Sequence, residues 1–249
     1  MIRPIKYNID KVLFLQELDK NLFPLNIEIK GKNCNQIKGY EKLKGPGIYI
    51  IFEKKGSLIY IGTWNISNET VHEQRWWKHI STFTFRGIDI AKQTKSEKIL
   101  KCNIEQQLND LFKKCNRVNP PKENLRAALK KFIKSGKQKK KFYRKSVALQ
   151  LSYKRAAYAN YHWEKFNNEK TIQNISNHFF FYYYQMSDLL EIKNEKKRNE
   201  ILEKFEEKLV NKFSPIVNDR SKNKMEFIND QVNINDITKV LNEEVKIYT

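Results

Sequence analysis

Residues 47–62 have the sequence GIYIIFEKKGSLIYIG, in which two runs of β-branched and aromatic residues flank Lys-Lys-Gly-Ser. The runs have the composition of strands and the four residues between them have that of a turn, so the segment predicts a β-hairpin. A loop of four residues would pair Glu53 with Leu58 and Ile51 with Tyr60.

In that register Tyr49 falls opposite Gly62, which has no side chain. Tyr49 and Tyr60 then share one face of the hairpin as diagonal neighbours. Any loop with an even number of residues keeps this parity. We therefore expect the two tyrosines to converge.

A second segment follows the hairpin at residues 73–79, EQRWWKH. In an α-helix, Arg75 and His79 lie one turn apart on the same face. A guanidinium and an imidazole so placed could bind one phosphate together. The alternative interpretation is a solvated helix with two exposed basic residues.

A third segment, residues 206–210, has the sequence EEKLV and is followed by Pro215 and Asn218. Twelve positions separate Glu206 from Asn218. The segment also suits an ordinary amphipathic helix, whose buried stripe would be Leu202, Phe205, Leu209 and Phe213.

The tripeptides Gly47-Ile48-Tyr49 and Tyr60-Ile61-Gly62, followed in order by these two segments, resemble the signature of the GIY-YIG nucleases. The resemblance implies an α/β (α+β) fold with a small three-stranded sheet flanked by helices. The aromatic run at 177–186 would be the third strand. It also implies a core at 45–92 and 172–222, an N-terminal extension at 1–44, a basic helical insertion at 93–171 and a tail at 223–249.

Short helices are predicted near 8–22 in the N-terminal extension and near 237–245 in the tail.

The resemblance implies phosphodiester hydrolysis with Tyr49 as general base and Tyr60 beside it. Arg75 would grip the scissile phosphate, and His79 would add a hydrogen bond or relay a proton. Arg75, Lys78 and the bound metal ion would also favour the phenolate form of Tyr49 by their positive charge.

In the same family pattern Glu206 holds one Mg²⁺ ion, for which Mn²⁺ could substitute, and Asn218 fixes the substrate backbone or the end of the Glu206 helix. One carboxylate is enough because Mg²⁺ commonly keeps several water ligands.

Charge supports a polyanionic partner. The 249-residue chain has a formal net charge of +20, and residues 92–170 hold 22 Lys or Arg against 6 Asp or Glu, or +16. We expect this segment to bind double-stranded DNA. The residues predicted to contact DNA are Lys78, Lys139, Lys140, Lys141, Arg144, Lys145, Lys154 and Arg155.

Other classes of protein are disfavoured. No apolar run approaches the ~20 residues that span a bilayer and no signal peptide is evident, so we expect a cytoplasmic protein without membrane contact. The three cysteines, Cys34, Cys102 and Cys115, include no CxxC pair and suggest neither a disulfide framework nor a zinc site. No small-molecule cofactor is expected.

The compact plan is most similar to the family's type II restriction endonucleases, so we expect sequence-specific cleavage, with a homodimer on a palindromic site. Other members of the family, of homing or repair type, remain alternatives, as does a non-catalytic nucleic-acid-binding protein on the same scaffold. Residues 188–193, DLLEIK, also faintly resemble the PD-(D/E)xK nuclease site, although the Asp-to-Glu spacing is short.

Overall fold

A computed structural model describes residues 2–17, 27–84, 155, 158, 162–166, 170–218 and 231–246. The chain forms two compact units. The first comprises Met1–Leu13, Gly31–Trp76 and Ser176–Thr249, and the second comprises Phe14–Lys30 and Trp77–Ile175. The predicted insertion falls within the second unit, and most of it lies outside the described residues.

The described strands and α-helices are, in chain order, β1 (Ile5–Asn8), α1 (Ile9–Val12), β2 (Leu13–Glu17), β3 (Ile27–Gly31), β4 (Gly47–Glu53), β5 (Leu58–Trp64), α2 (Trp77–Phe83), α3 (Trp163–Phe166), α4 (Thr171–His178), β6 (Phe179–Gln185), α5 (Glu195–Phe213) and α6 (Ile234–Val245). Three 3₁₀ turns occur at Cys34–Gln36, Tyr40–Leu43 and Ser187–Glu191, and a π-helical segment at His72–Trp76 precedes α2. The fold is therefore mixed α/β, as expected.

The main sheet lies in the first unit and has four strands, not the predicted three, in the order β1-β6-β4-β5. All its neighbouring strands are antiparallel. The additional strand β1 comes from the predicted N-terminal extension, with Ile5 opposite Tyr183. A strand of four residues is too short to give a clear period-two signal in the sequence. Without β1, however, the outer edge of β6 would have unpaired backbone N–H and carbonyl groups.

Helices α5 and α6 cover one face of this sheet. Ile48, Ile50 and Phe52 of β4 share a buried apolar cluster with residues of both helices. The opposite face receives the π-helical segment, whose Trp76 ring stacks on Phe181 with 4.3 Å between ring centroids. Alternate residues of β4 therefore face two different packing layers.

Helix α5 confirms the predicted amphipathic helix. The side chain of Asn194 caps its first turn by accepting from the Lys197 N–H, and Ser214 ends it with φ of 46°. The predicted stripe is buried except for Phe213, which is half-buried. Helix α6 matches the predicted last helix but begins three residues earlier, and β6 begins two residues after the predicted start.

The helix predicted near residues 8–22 is wrong. Among the described residues of this stretch, 8–17, only Ile9–Val12 is helical, and the chain continues directly as β2, which pairs with β3 in a two-stranded sheet. The apolar spacing at residues 9–15 suits a helix, but strand pairing with a segment more than ten residues away overrides that local preference.

Candidate functional site

Four residues separate β4 from β5, but the hydrogen-bonded loop has only three, residues 54–56, because Glu53 bonds to Ser57. The predicted four-residue loop, with Glu53 opposite Leu58, is therefore wrong. The Gly56 N–H donates to the Glu53 carbonyl and the Glu53 N–H donates to the Ser57 carbonyl, both at 2.9 Å. Gly56 has φ of 91°, the left-handed conformation that such a loop requires at its third position.

An irregularity in the pairing restores the expected register. Phe52 lies opposite Leu58, whereas Ile51 lies opposite Tyr60, which leaves Ile59 as one extra residue in β5. The odd loop and this β-bulge each shift the pairing by one residue and cancel. The predicted pairs of Ile51 with Tyr60 and of Tyr49 with Gly62 are therefore confirmed.

Tyr49 and Tyr60 converge on the same face of the hairpin. Their ring centroids are 5.9 Å apart and their planes are inclined by 33°. Tyr49 is only 3% exposed, whereas Tyr60 is half-buried. The pair therefore has an enclosed member and a member that solvent can reach.

Gly62 makes room for this pair. A Cβ atom at Gly62 would lie 2.5 Å from the Cζ and hydroxyl of Tyr49 and 2.7 Å from Cε1 of Tyr60. Gly47 makes room for the Tyr183 ring in the same way, since a Cβ atom at Gly47 would lie 2.7 Å from the Cζ and hydroxyl of Tyr183. The glycines of both tripeptides are thus positions where a tyrosine ring crosses the strand.

Arg75 lies in the π-helical segment and is exposed. Its guanidinium carbon is 5.9 Å from the centroid of the Trp64 ring. Trp64 follows Gly62 by two residues, so its side chain points to the same face of the hairpin as the tyrosine pair. The structure therefore brings the Arg75 cation to the face that carries Tyr49 and Tyr60.

Lys78 and His79 lie on α2 and belong to the second unit. His79 is 6% exposed, with its ring centroid 5.8 Å from that of Phe83. Lys78 is half-buried, with its ammonium 5.5 Å from the Trp77 ring centroid. The α-helical spacing assumed for Arg75 and His79 does not hold throughout, because the segment that contains Arg75 has π-helical hydrogen bonding.

Glu206 lies on α5 at the margin of the buried stripe and is half-buried. Leu202 and Val210, one turn before and one turn after it, are both buried. Helix α5 packs on the sheet face opposite to Tyr49, where it contacts the edge strand β5 and its neighbour β4. The two faces of the sheet meet at the outer edge of β5.

Asn218 is held at that same edge. It is 5% exposed, its Oδ1 accepts from the Ile61 N–H at 2.9 Å, and its Nδ2 donates to the Ile61 carbonyl at 2.7 Å. The N–H groups of Ile216 and Val217 donate to the carbonyls of Leu58 and Ile59, both at 3.0 Å. The amide of Asn218 therefore binds β5, between Tyr60 and Gly62. The sequence analysis assigned this residue to the substrate backbone or to the end of the Glu206 helix.

The structure also groups three side chains that the sequence analysis did not connect. Ligand atoms of Cys34, His72 and Glu73 lie within 4.8 Å of one another. The Thr70 hydroxyl donates to Glu73 Oε2 at 2.7 Å and lies 3.7 Å from Cys34 Sγ. The spacing of Thr70 and Glu73 is that of a helix capping box, a signal present in the sequence, but nothing in it points to Cys34.

Burial changes the proton affinity of two members of this group. Burial lowers the pKa of the His72 imidazole, and the hydrogen bond to the Lys32 carbonyl opposes that effect. Burial raises the pKa of the Cys34 thiol, the nearby Thr70 hydroxyl lowers it, and Glu73 raises it further. At neutral pH the group therefore favours a neutral imidazole and a protonated thiol.

Most of the predicted DNA-contacting residues lie outside the described residues, namely Lys139, Lys140, Lys141, Arg144, Lys145 and Lys154. Arg155 is described and is half-buried. Asp188 and Glu191, from the PD-(D/E)xK alternative, are exposed on a 3₁₀ turn and its end, and neither lies on a strand.

No family model, curated protein or solved structure matches the chain. Among the described helices, none combines the length and the apolar character needed to cross a bilayer.

Proposed function

We propose that the chain is a metal-dependent endonuclease that cuts double-stranded DNA, of the type II restriction class that the motifs resemble. The observation that carries the proposal is the tyrosine pair: Tyr49 and Tyr60 have ring centroids 5.9 Å apart over Gly62. The exposed Arg75 cation lies on the same face.

This arrangement supplies two requirements of phosphodiester hydrolysis. The phenolic oxygen of Tyr49 would take a proton from water, and the guanidinium of Arg75 would bind the phosphate through its planar fork. Tyr49 is enclosed and its position is restricted by the close approach to Gly62. We infer that Tyr49 is the base and that Tyr60, which solvent reaches, contacts the incoming water or DNA.

Glu206 is the proposed ligand of a Mg²⁺ ion, which when bound would stabilise negative charge on the phosphate and the leaving oxygen. Glu206 belongs to no cluster of three His, Cys, Asp or Glu ligands among the described residues. One carboxylate ligand is compatible with Mg²⁺, because this ion retains several water molecules in its coordination shell.

Residues 216–218 support a common site at the edge of β5. They connect the end of α5 to the strand that carries Tyr60, through four hydrogen bonds of 2.7 to 3.0 Å. We infer that Asn218 is a positioning residue that holds β5, and so Tyr60 and Gly62, at a constant place beside the helix of Glu206.

The charge of the chain supports DNA as the substrate. Residues 92–170 contribute +16 of the net +20. Such a concentration would bind the phosphates of a duplex regardless of sequence, while base contacts would determine the cutting site. One site of this kind cuts one strand, so cleavage of a palindrome calls for two copies of the chain.

The test is digestion of unmodified phage DNA by the purified chain with Mg²⁺, comparing Glu206→Gln with the matched control Glu207→Gln. Glu207 is the adjacent carboxylate on α5 and is exposed. We expect discrete fragments from the parent and from Glu207→Gln. Glu206→Gln should bind DNA in a gel-shift assay without cutting it, because only the transition-state contribution is removed. Tyr49→Phe should lose most cleavage.

Each outcome discriminates between functions. A smear instead of discrete fragments would indicate a nuclease without sequence specificity. Intact DNA that is shifted on a gel by the parent would indicate a non-catalytic binding protein. Cleavage by Glu206→Gln at the rate of Glu207→Gln would refute the assignment of the metal ligand, and loss of cleavage in Glu191→Ala alone would favour the PD-(D/E)xK alternative.

A further inference from the structure

We propose that Cys34, His72 and Glu73 bind one borderline-soft divalent ion of the zinc type, at a site separate from Glu206. The three ligand atoms, a sulfur, a ring nitrogen and a carboxylate oxygen, lie within 4.8 Å of one another. Sulfur, nitrogen and oxygen donors together are the ligand types that Zn²⁺ takes in proteins.

The histidine is arranged as a metal ligand would be. His72 is fully buried, and its Nε2 lies 2.9 Å from the Lys32 carbonyl, which can only accept a hydrogen bond. Nε2 therefore carries the proton and Nδ1 carries the lone pair. Nδ1 is buried and has no hydrogen-bond partner among the described residues. A ring nitrogen bonded to a backbone carbonyl, with the other left for a ligand, is the usual arrangement around bound metals.

The backbone around His72 is fixed by a close approach of two segments. A Cβ atom at Gly31 would lie 2.6 Å from Cα of Glu73 and 2.9 Å from the carbonyl oxygen of His72. The end of β3 therefore contacts the first turn of the π-helical segment directly. This contact holds the Lys32 carbonyl beside the imidazole and fixes the ring orientation.

The hydroxyl of Thr70 contacts both the carboxylate of Glu73 and the thiol of Cys34. Thr70 is fully buried, donates to Glu73 Oε2, and lies within sulfur hydrogen-bonding distance of Cys34. Thr70 thus orients the carboxylate, as outer-shell partners of metal ligands do. Glu73 and Cys34 are half-buried, so both can move towards a shared ion.

The required movement is small. Tetrahedral Zn²⁺ with bonds of about 2.0–2.3 Å holds its donor atoms about 3.5 Å apart, so the three atoms would close by up to about 1.3 Å. On binding, the Cys34 thiol loses its proton to solvent as the metal–sulfur bond forms. A water molecule would complete the coordination. The ion would join the 3₁₀ turn that begins at Cys34 to the start of the π-helical segment that carries Arg75.

Cobalt binding tests the proposal, because a cobalt–thiolate bond has a charge-transfer absorption that oxygen ligands do not give. The protein used is the full chain with Cys102→Ser and Cys115→Ser, which leaves Cys34 as the only one of three cysteines. We expect one equivalent of Co²⁺ to bind with this absorption and Zn²⁺ to displace it. Cys34→Ser should abolish the absorption, and Glu206→Gln should retain it.

The remaining variants separate a metal site from a helix cap. Thr70→Val should weaken Zn²⁺ binding by about 10- to 100-fold, the usual effect of losing an outer-shell partner. Glu73→Gln should weaken it at least as much, whereas Glu69→Gln, a nearby exposed carboxylate, should not. Circular dichroism establishes that each variant is folded. Absence of the thiolate absorption in the Cys34-only protein, or equal Zn²⁺ affinity in Glu73→Gln and Glu69→Gln, would overturn the proposal and leave Glu73 as part of a capping box.

Discussion

Substitution of Gly62 by alanine tests the packing of the proposed catalytic tyrosine. The added Cβ would lie 2.5 Å from the Cζ and hydroxyl of Tyr49 and 2.7 Å from Cε1 of Tyr60, closer than the 3.0 Å that Cβ contacts essentially always exceed. Tyr49 is buried and cannot move aside without disturbing its neighbours. The substitution must therefore displace the Tyr49 ring or the strand.

The expected loss of stability follows from this overlap. Overpacking of a buried site costs about 1–3 kcal/mol, and in a chain of this length each kcal/mol lowers the melting temperature by about 2–4 °C, so we expect Tm to fall by about 2–12 °C. The rate of DNA cleavage should fall as well, because displacement of a catalytic group by up to about 1 Å lowers the rate of reaction strongly.

A double-mutant cycle with Tyr49→Leu identifies the partner of the clash. Leucine removes the ring atoms that meet the new Cβ, so Gly62→Ala should cost much less in the Tyr49→Leu background. Residues in contact give coupling energies of about 0.5–3 kcal/mol in urea denaturation. Thr63→Ala is the matched control, since Thr63 is half-buried and its side chain points to the other face of β5.

Two results would refute the reasoning. Unchanged stability and cleavage in Gly62→Ala would mean that the ring does not cross the strand at this glycine. Effects that add to within about 0.5 kcal/mol in the cycle would mean that Tyr49 is not the group displaced.

Three further predictions concern other parts of the chain. Asn218→Leu should lower the free energy of unfolding by about 1–3 kcal/mol in urea denaturation, because it leaves the N–H and carbonyl of Ile61 without partners; an unchanged midpoint would contradict this. Burial raises the pKa of Tyr7 to about 12, so the unfolded chain loses this proton first, and stability should fall as pH rises from about 10 towards 12. Tyr7→Phe should make that fall shallower, and an equal slope would contradict the assignment. Neutralising Lys139, Lys140 and Lys141 together should reduce the slope of log binding constant against log salt concentration by up to roughly three units, without lowering Tm. An unchanged slope would count against contact of these lysines with DNA.

The hairpin illustrates what local sequence can predict. The β-branched and aromatic runs around Lys-Lys-Gly-Ser were sufficient to predict the two strands of the hairpin. The pairing of Tyr49 with Gly62 was predicted correctly, although the loop length assumed for it was wrong. The amphipathic period of α5 and the Pro that follows it were likewise sufficient for that helix. These features depend on residues close together in the chain, where period and turn chemistry are informative.

Tertiary contacts decided how the hairpin reaches the register in which Tyr49 lies opposite Gly62. The loop has three residues, and the register survives because Ile59 forms a bulge whose carbonyl accepts from Val217, a residue far along the chain. Strand β1 has the same dependence, because four residues near the N-terminus become a strand only by pairing with β6. Long-range hydrogen bonds of this kind leave no periodic trace in the sequence.

The candidate sites divide in the same way. The sequence by itself determined the residue types and the concentration of positive charge, because these depend on composition. The convergence of Tyr49 with Tyr60 was predicted, but the fold reaches it through the bulge at Ile59. Only the tertiary structure decided that Arg75 lies over Trp64, that Asn218 binds β5, and that Cys34 meets His72. Each of these contacts joins segments whose approach is set by packing of the whole first unit, which no local pattern encodes.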